Sequence, residues 1–169
     1  MKQKILMFIL AIAALSGSCL SKRHTPGFEK IVFHTTGCFG FCPTYHLEVG
    51  AERQLRLHVE SAYRPQSSEV DSARIGFYEG TLDEAMFARL MTELKKVKFA
   101  KLQLQNTNCC DGVLKTIIIY REGRREVIRE MFPPKELEAL IKVLYEICEV
   151  GNLKRVAPFQ LENVPNPHG

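Results

Sequence analysis

The chain has 169 residues and a formal net charge of +4 at pH 7. This length predicts a single domain, large enough to fold without a metal ion or a disulfide bond. The mild charge balance gives no basis for nucleic-acid binding, which requires a clustered basic face.

The first 18 residues have the composition of a secretory signal peptide. Lys2 and Lys4 provide a positive start, and an apolar run covers residues 5–15. A membrane-spanning helix needs about 20 apolar residues, so this shorter run predicts export. Removing residues 1–18 lowers the formal net charge from +4 to +2, because both lysines leave and no acidic residue does.

Cys19 follows the small residues Ser16-Gly17-Ser18, and this arrangement resembles a bacterial lipobox. In that class of signal the cysteine receives the lipid and becomes the first residue of the mature protein. The usual pattern has Leu where this chain has Ser16, so an ordinary cleavage site beside Cys19 is the alternative. We expect an exported protein, lipid-anchored through Cys19 to the cell envelope on its periplasmic side or at the cell surface.

The remaining chain divides into three parts by composition. Residues 19–28 are predicted to form a polar tether that contains Pro26-Gly27. Residues 29–150 are predicted to form one domain. Residues 151–169 are predicted to be a tail, because several prolines interrupt any regular pattern there.

Strand patterns fill the first half of the domain. Residues 28–34 form the first candidate strand, and residues 75–80 form the fourth. Between them, apolar and polar residues alternate with period two over residues 44–49 and 54–59, which predicts two half-buried strands joined by a bend at 50–53.

The register of this hairpin follows from the alternation, because its apolar residues must share one face. The predicted core-face pairs are Val49–Leu55, Leu47–Leu57 and Tyr45–Val59. The opposite face then pairs Glu48 with Arg56 and His46 with His58. We expect this second face to be exposed to solvent.

Two amphipathic helices are predicted. The first covers residues 82–97, with an apolar stripe and a capping box formed by Thr81 and Glu84. The second opens at Pro133-Pro134, because proline is tolerated in the first turn of a helix, and ends near Gly151.

Two further strands lie between the helices. Residues 114–120 are apolar on both faces, which predicts a central strand, and residues 124–131 return antiparallel to it. The chain is therefore predicted to be an α+β domain, an antiparallel sheet with two helices packed on one face in the order ββββ-α-ββ-α. This order does not favour a doubly wound nucleotide-binding sheet.

Five cysteines follow Cys19, so at least one of them stays free or pairs between molecules. An oxidising compartment favours pairing. Cys38 and Cys42 are the best local pair, because Gly40 between them permits a tight reversal. Adjacent Cys109 and Cys110 rarely bridge each other. Further disulfides that join either of them to Cys148 or to the first pair, or free thiols, remain open.

The segment Cys38-Phe39-Gly40-Phe41-Cys42-Pro43-Thr44-Tyr45 resembles the C-F-G-x-C-P-x-Y signature of an uncharacterised bacterial family. Its members are exported or lipid-anchored domains of unknown function. The resemblance covers roughly residues 29–150, and the loop at 61–73 and the Cys109-Cys110 pair depart from the common pattern. The resemblance implies which family the domain belongs to, but that family has no established activity from which a function could be inferred.

The same cysteines also permit a copper or thiol-redox hypothesis. Membrane-anchored copper chaperones of the thioredoxin fold use a C-x-x-x-C-P pair with a distant histidine, and thiolate with imidazole suits copper. The ligand set of this alternative is Cys38, Cys42, His34, His46 and His58. However, that fold follows its cysteines with a helix, whereas residues 44–49 alternate as a strand. A structural disulfide without a cofactor is therefore preferred.

Motifs for catalysis are missing from the sequence. It has no G-x-S-x-G, no H-E-x-x-H and no convincing pair of acids, so we expect no enzyme and no catalytic residues. The leading hypothesis is a non-enzymatic binding or scaffolding module of the cell envelope. Its partners would be the membrane, through the lipid, and an unknown protein or envelope component. An inhibitor-like domain is a third hypothesis that depends on architectural analogy alone.

Overall fold

The computed structural model describes residues 27–105 and 112–164. Within these ranges an antiparallel sheet of seven strands combines with two α-helices and a short 3-10 helix, so the fold is α+β. The strands are β1 (Phe28–Thr35), β2 (Thr44–Gly50), β3 (Gln54–Ser61), β4 (Gly76–Thr81), β5 (Lys115–Arg121), β6 (Arg124–Glu130) and β7 (Lys154–Val156). The helices are α1 (Glu84–Lys96), the 3-10 helix Phe99–Lys101 and α2 (Lys135–Cys148).

The strands lie in the spatial order β6-β5-β1-β2-β3-β4-β7. Strands β1 to β4 follow one another as neighbours, and β5 and β6 form a separate hairpin. Strand β1 joins the two groups, since Ile31 pairs with Val49 of β2 on one side and with Ile119 of β5 on the other. The first strand of the domain is therefore the centre of the sheet.

The predicted register of the β2–β3 hairpin is confirmed at all five pairs, including Glu48 with Arg56 and His46 with His58. The prediction that β5 is buried on both faces is also confirmed, because Ile117, Ile118 and Ile119 are all buried.

Apolar side chains from both helices and from alternate strand positions form one hydrophobic core. Leu57 of β3 belongs to it, together with Leu90 of α1 and Leu140 of α2. We call the side of the sheet that carries these strand residues the core face. Neighbouring strand residues point to the other side, which carries His34 and His46 and which we call the strap face.

The start of α1 differs from the predicted capping box. Asp83 is the N-cap, and its carboxylate accepts a hydrogen bond of 2.8 Å from the N–H of Met86. The helix begins at Glu84 rather than at residue 82, and Thr81 closes strand β4 instead. Asp is as good an N-cap as Thr, so the local sequence leaves this choice to the neighbouring strand.

The chain does not leave the domain after α2. Residues 151–169 are predicted to be a tail, but β7 pairs antiparallel with β4, with Val156 opposite Phe77. Residues 157–164 then cross the strap face, and we call them the strap. Among the residues that the structure describes, no helix is long and apolar enough to cross a membrane.

Candidate binding surfaces

A short loop between β1 and β2 is closed by a disulfide. The Sγ atoms of Cys38 and Cys42 are within bonding distance, and their Cα atoms lie 5.6 Å apart. The N–H of Gly40 donates a hydrogen bond of 2.9 Å to the carbonyl of Cys38. Gly40 makes this reversal without a positive φ, so the expected use of its conformational freedom is not needed.

The base of this loop is fixed by hydrogen bonds to the sheet. The buried hydroxyl of Thr35 donates to the carbonyl of Pro43 at 3.2 Å and accepts the N–H of Tyr45 at 2.9 Å. The N–H of Thr44 donates to the hydroxyl of Ser61 at 3.0 Å. The loop is therefore held on β1 and β3 as well as by its disulfide.

Replacing both Cys38 and Cys42 with Ser is expected to leave the domain folded and to lower its Tm. A 15-residue disulfide loop contributes about 3 kcal/mol of closure entropy, and this shorter loop should contribute less. Thermal unfolding measures the effect, and peptide mapping without reduction tests the bond. Free alkylation of both thiols in native, air-exposed protein would contradict the structural disulfide, as would copper that co-purifies with the pair.

The loop presents two phenylalanines to solvent. Phe39 is 89% exposed and Phe41 is 61% exposed. The ring of Phe41 contacts Tyr63 edge to face at a centroid distance of 5.8 Å, and Phe39 is the more exposed of the two. Large apolar side chains grouped in this way mark interaction sites more often than chance exposure does.

Beside this loop lies a cleft of about 330 Å³, which we call the aromatic cleft. It is lined by Phe41, Pro43, Tyr45, Tyr63, Arg64, Gln66, Ser67, Ser68, Arg74 and Glu149.

The hydroxyl of Tyr45 donates a hydrogen bond of 2.7 Å to Glu149 in this cleft, and Arg74 approaches the same carboxylate at 3.3 Å. Burial, together with this hydrogen bond, raises the pKa of Tyr45, so its hydroxyl stays a donor at physiological pH.

Three histidines stand side by side on the strap face. His34 of β1 pairs with His46 of β2, and His46 pairs with His58 of β3. The rings of His34 and His46 have centroids 5.4 Å apart, and His58 stacks on Phe77 at 4.0 Å. We call these three residues the histidine row. The sequence predicts the pairing of His46 with His58 and names His34 as a further candidate ligand, and the structure places His34 beside them.

The histidine row is neutral at physiological pH. Burial, together with the neighbouring imidazoles of His34 and His58, lowers the pKa of His46 to about 4. Burial also lowers the pKa of His34 and of His58. Within residues 27–105 and 112–164, His34 Nδ1 and His46 Nε2 are buried without a hydrogen-bond partner.

The strap is held on this face at two residues. The ring of Phe159 contacts Phe77 edge to face at 5.1 Å, and the guanidinium of Arg56 lies 4.0 Å from the centre of the Phe159 ring. Further along, Glu162 accepts a hydrogen bond of 2.6 Å from the hydroxyl of Tyr120 and pairs with Lys30 at 2.8 Å.

Charge and hydrogen bonding keep the carboxyl group of Glu162 ionised. Burial opposes its ionisation, but the hydrogen bonds from Lys30 and Tyr120 outweigh it and hold the pKa of Glu162 below its ordinary value. The backbone N–H of Glu162 also donates to Glu48 at 2.6 Å. A carboxylate is therefore the preferred group at this position.

The expected solvent exposure of one sheet face is wrong at Glu48. The face that carries Glu48, Arg56 and His46 is predicted to be exposed, yet Glu48 is buried, because the strap covers it. The signal that could have revealed the strap is the set of apolar residues in the supposed tail, Phe159, Leu161 and Val164.

The residues of the copper hypothesis lie in two places, the disulfide-closed loop and the histidine row. Within the described part of the chain, no group of three or more His, Cys, Asp or Glu side chains is arranged to hold a metal ion. Cys148 is a free, buried thiol, and burial raises its pKa well above the ordinary value. Cys19, Cys109 and Cys110 lie outside the described residues, so their predicted roles stay predictions.

Fold and loop together define a small α+β domain with a disulfide-closed aromatic loop. Residues 29–148 match the family model DUF6438, described as a domain of unknown function, and the chain belongs to this family. No curated protein and no solved structure matches the chain. The matched residues end before β7 and the strap, so the histidine row lies inside the family domain and its cover lies outside it.

Proposed function

We propose that this chain is a non-enzymatic binding domain of the cell envelope, without a resident cofactor. It is exported by residues 1–18 and lipid-anchored through Cys19, on the periplasmic side or at the cell surface. The signal-peptide composition and the small residues before Cys19 support this location. The partners are the membrane, through the lipid, and a protein of the envelope.

The exposed pair Phe39 and Phe41 carries the proposal. Burying a phenylalanine side chain stabilises a complex by roughly 1.5–3 kcal/mol, and two such rings project from one short loop. Aromatic and arginine side chains are enriched where protein partners bind most tightly. The adjoining cleft supplies Tyr63, Arg64 and Arg74, so a protein surface with an apolar pocket fits this site best.

The disulfide makes the loop a better binding element. An ordered loop loses less conformational entropy on binding than a flexible one. The bond between Cys38 and Cys42 and the hydrogen bonds of Thr35 hold the loop backbone that carries both rings before a partner arrives.

The thiol-redox and copper alternative has less support. A reactive thiol is favoured where the N-terminus of a helix lowers its pKa, but Cys42 is followed by strand β2 from Thr44. The same cysteines are paired with each other, which leaves no thiolate for a metal in this state.

Mass spectrometry of the mature N-terminus tests the anchor. Cleavage after Ser18 and acylation of Cys19 are expected. A Cys19→Ala variant should be released from the membrane fraction while remaining folded, because Cys19 precedes the domain. An unmodified mature N-terminus at any other residue would contradict the lipid anchor.

Site-specific photocrosslinking in cells tests the binding surface. A photoreactive residue in place of Phe41 is expected to give one discrete adduct with an envelope protein, and Phe39→Ser should weaken this adduct strongly. The matched control places the same group at exposed Lys95 on α1, where that adduct should not form. The same adduct from both positions, or none from position 41, would contradict the proposal. Phe39→Ser should leave the Tm unchanged, because its ring packs against little of the domain.

A further inference from the structure

The strap is attached to the sheet by few contacts. Strand β7 joins β4 through three paired residues. In contrast, within the described residues no backbone–backbone hydrogen bond joins residues 157–164 to another segment. The side chains of Phe159 and Glu162, with the N–H of Glu162 on Glu48, provide the anchors. Segments held in this way open at low free energy.

The strap also leaves space unfilled at its edge. An open groove of about 480 Å³ is lined by residues 159–164 and by the histidine row with Phe77. Two of these lining residues each carry a buried imidazole nitrogen that has no hydrogen-bond partner among the described residues, His34 Nδ1 and His46 Nε2. If the strap served only as packing for the sheet, we would expect its side chains to fill this groove and to bond to the two imidazole nitrogens.

The two anchors define what this face recognises. Arg56 and Phe77 hold an aromatic ring, by cation–π and edge-to-face contact. Lys30 and Tyr120 hold a carboxylate. The strap presents these two groups from residues three positions apart, Phe159 and Glu162, in a segment that is neither helix nor strand.

We propose that the strap face is a docking surface for an irregular segment of a partner protein, shaped like the strap, and that the strap occupies it as a releasable internal ligand. The partner segment carries an aromatic residue and, three positions later, a carboxylate. This surface is separate from the Cys38–Cys42 loop, so the two proposals stand independently. A tethered segment has an effective concentration in the millimolar range, so the strap excludes weak competitors and admits a partner that binds more tightly.

The experiment uses the full-length chain with Phe159→Ala and Glu162→Gln together, which removes the aromatic ring and the carboxylate and keeps only the backbone N–H of residue 162. Hydrogen exchange of residues 157–164 measures release, and the amide of Glu162 should be protected in the wild type and unprotected in the variant. Isothermal titration with a synthetic peptide of residues 157–164 then measures docking. The peptide should bind the variant at least tenfold more tightly than the wild type. An unchanged far-UV circular dichroism spectrum verifies that the variant is folded.

Matched controls test the chemistry. Peptides in which the phenylalanine is replaced by alanine, or the glutamate by glutamine, should each bind at least tenfold more weakly. A Tyr120→Phe change in the strap-released variant should weaken the unmodified peptide strongly and the glutamine peptide less, because an amide oxygen accepts a weaker hydrogen bond than a carboxylate. In the wild type, excess unmodified peptide should accelerate exchange of the strap amides.

Three results would overturn the proposal. The first is a strap that stays protected in the double variant, since the two anchors would then not hold it. The second is a released strap with no binding of the peptide to the exposed face. The third is strap exchange between two copies, seen as a dimer by light scattering, since the occupant would then be a second copy rather than a partner.

Discussion

Replacing Leu57 with Asp is expected to unfold the domain. Leu57 is 1% exposed and lies in the middle of β3, between Leu47 and Tyr78 on the neighbouring strands. Truncating a buried leucine costs about 2–5 kcal/mol, and an unpaired buried carboxylate adds a desolvation cost of several more. Since small domains have about 5–15 kcal/mol of total stability, little folded protein should remain. Near-UV circular dichroism and chemical denaturation measure the loss.

His58→Asp is the matched control. His58 is the next residue in the same strand, but its side chain lies on the strap face and is only partly buried. The change removes the ring stack on Phe77, which predicts a cost of about 1 kcal/mol, and the domain should stay folded. Similar losses for the two variants would mean that the assignment of the two faces of β3 is incorrect.

Acidification from pH 6.5 to pH 4 is expected to lower the free energy of unfolding. In the unfolded chain a histidine has its ordinary pKa of 6.5, whereas burial and the neighbouring imidazoles hold the pKa of His46 at about 4 in the fold. The unfolded state therefore binds its proton first as the pH falls. The contribution of neutral His46 is fully present above pH 6.5, is lost progressively towards pH 4, and changes no further below it. For a partly exposed group, we expect a loss on the order of 2 kcal/mol.

Nearby charges shift the pH range over which the histidines titrate. For His46, Glu162 acts to raise the pKa and Lys30 acts to lower it. Glu60 opposes the lowering of the pKa of both His34 and His58. Arg129 acts on His34 in the lowering direction. Ordinary carboxylates titrate near pH 4, so the upper part of the window, from pH 6.5 to about 5, reports mainly the histidine row.

His46→Gln separates the contribution of His46 from all others. Glutamine is polar and does not titrate, so the free energy of unfolding of this variant should depend less steeply on pH between 6.5 and 5. Urea denaturation at several pH values measures both slopes. Parallel slopes for the variant and the wild type would show that His46 does not carry the acid sensitivity.

Much of the local structure follows from sequence patterns. Alternation along residues 44–59 predicts both the strands and their pairing, because apolar side chains must share a face and a tight bend leaves one register. The spacing of Cys38 and Cys42 likewise predicts a bridged turn, since only a reversal brings residues four apart to disulfide distance. These features depend on interactions between residues that are near in sequence.

The local sequence does not determine the start of a helix where two nearby residues can both act as its N-cap. Thr81 and Asp83 are both suitable N-caps for α1, and the sequence favours Thr81 through its capping box. The structure uses Asp83, because Thr81 is engaged in β4, where it pairs with Gln54 of β3. The sheet therefore decides where the helix begins.

The sequence by itself determined the α+β class, the β2–β3 register and the local cysteine pair. Only the tertiary structure decided that β5 inserts beside β1, that His34 completes the histidine row, and that residues 157–164 cover it. The pairing of β1 with β5 brings together residues about 85 positions apart, and no local pattern encodes so distant a partner. The strap lacks a period because it is neither helix nor strand. Its position is set by an aromatic ring and a carboxylate that find their partners only after the sheet has formed.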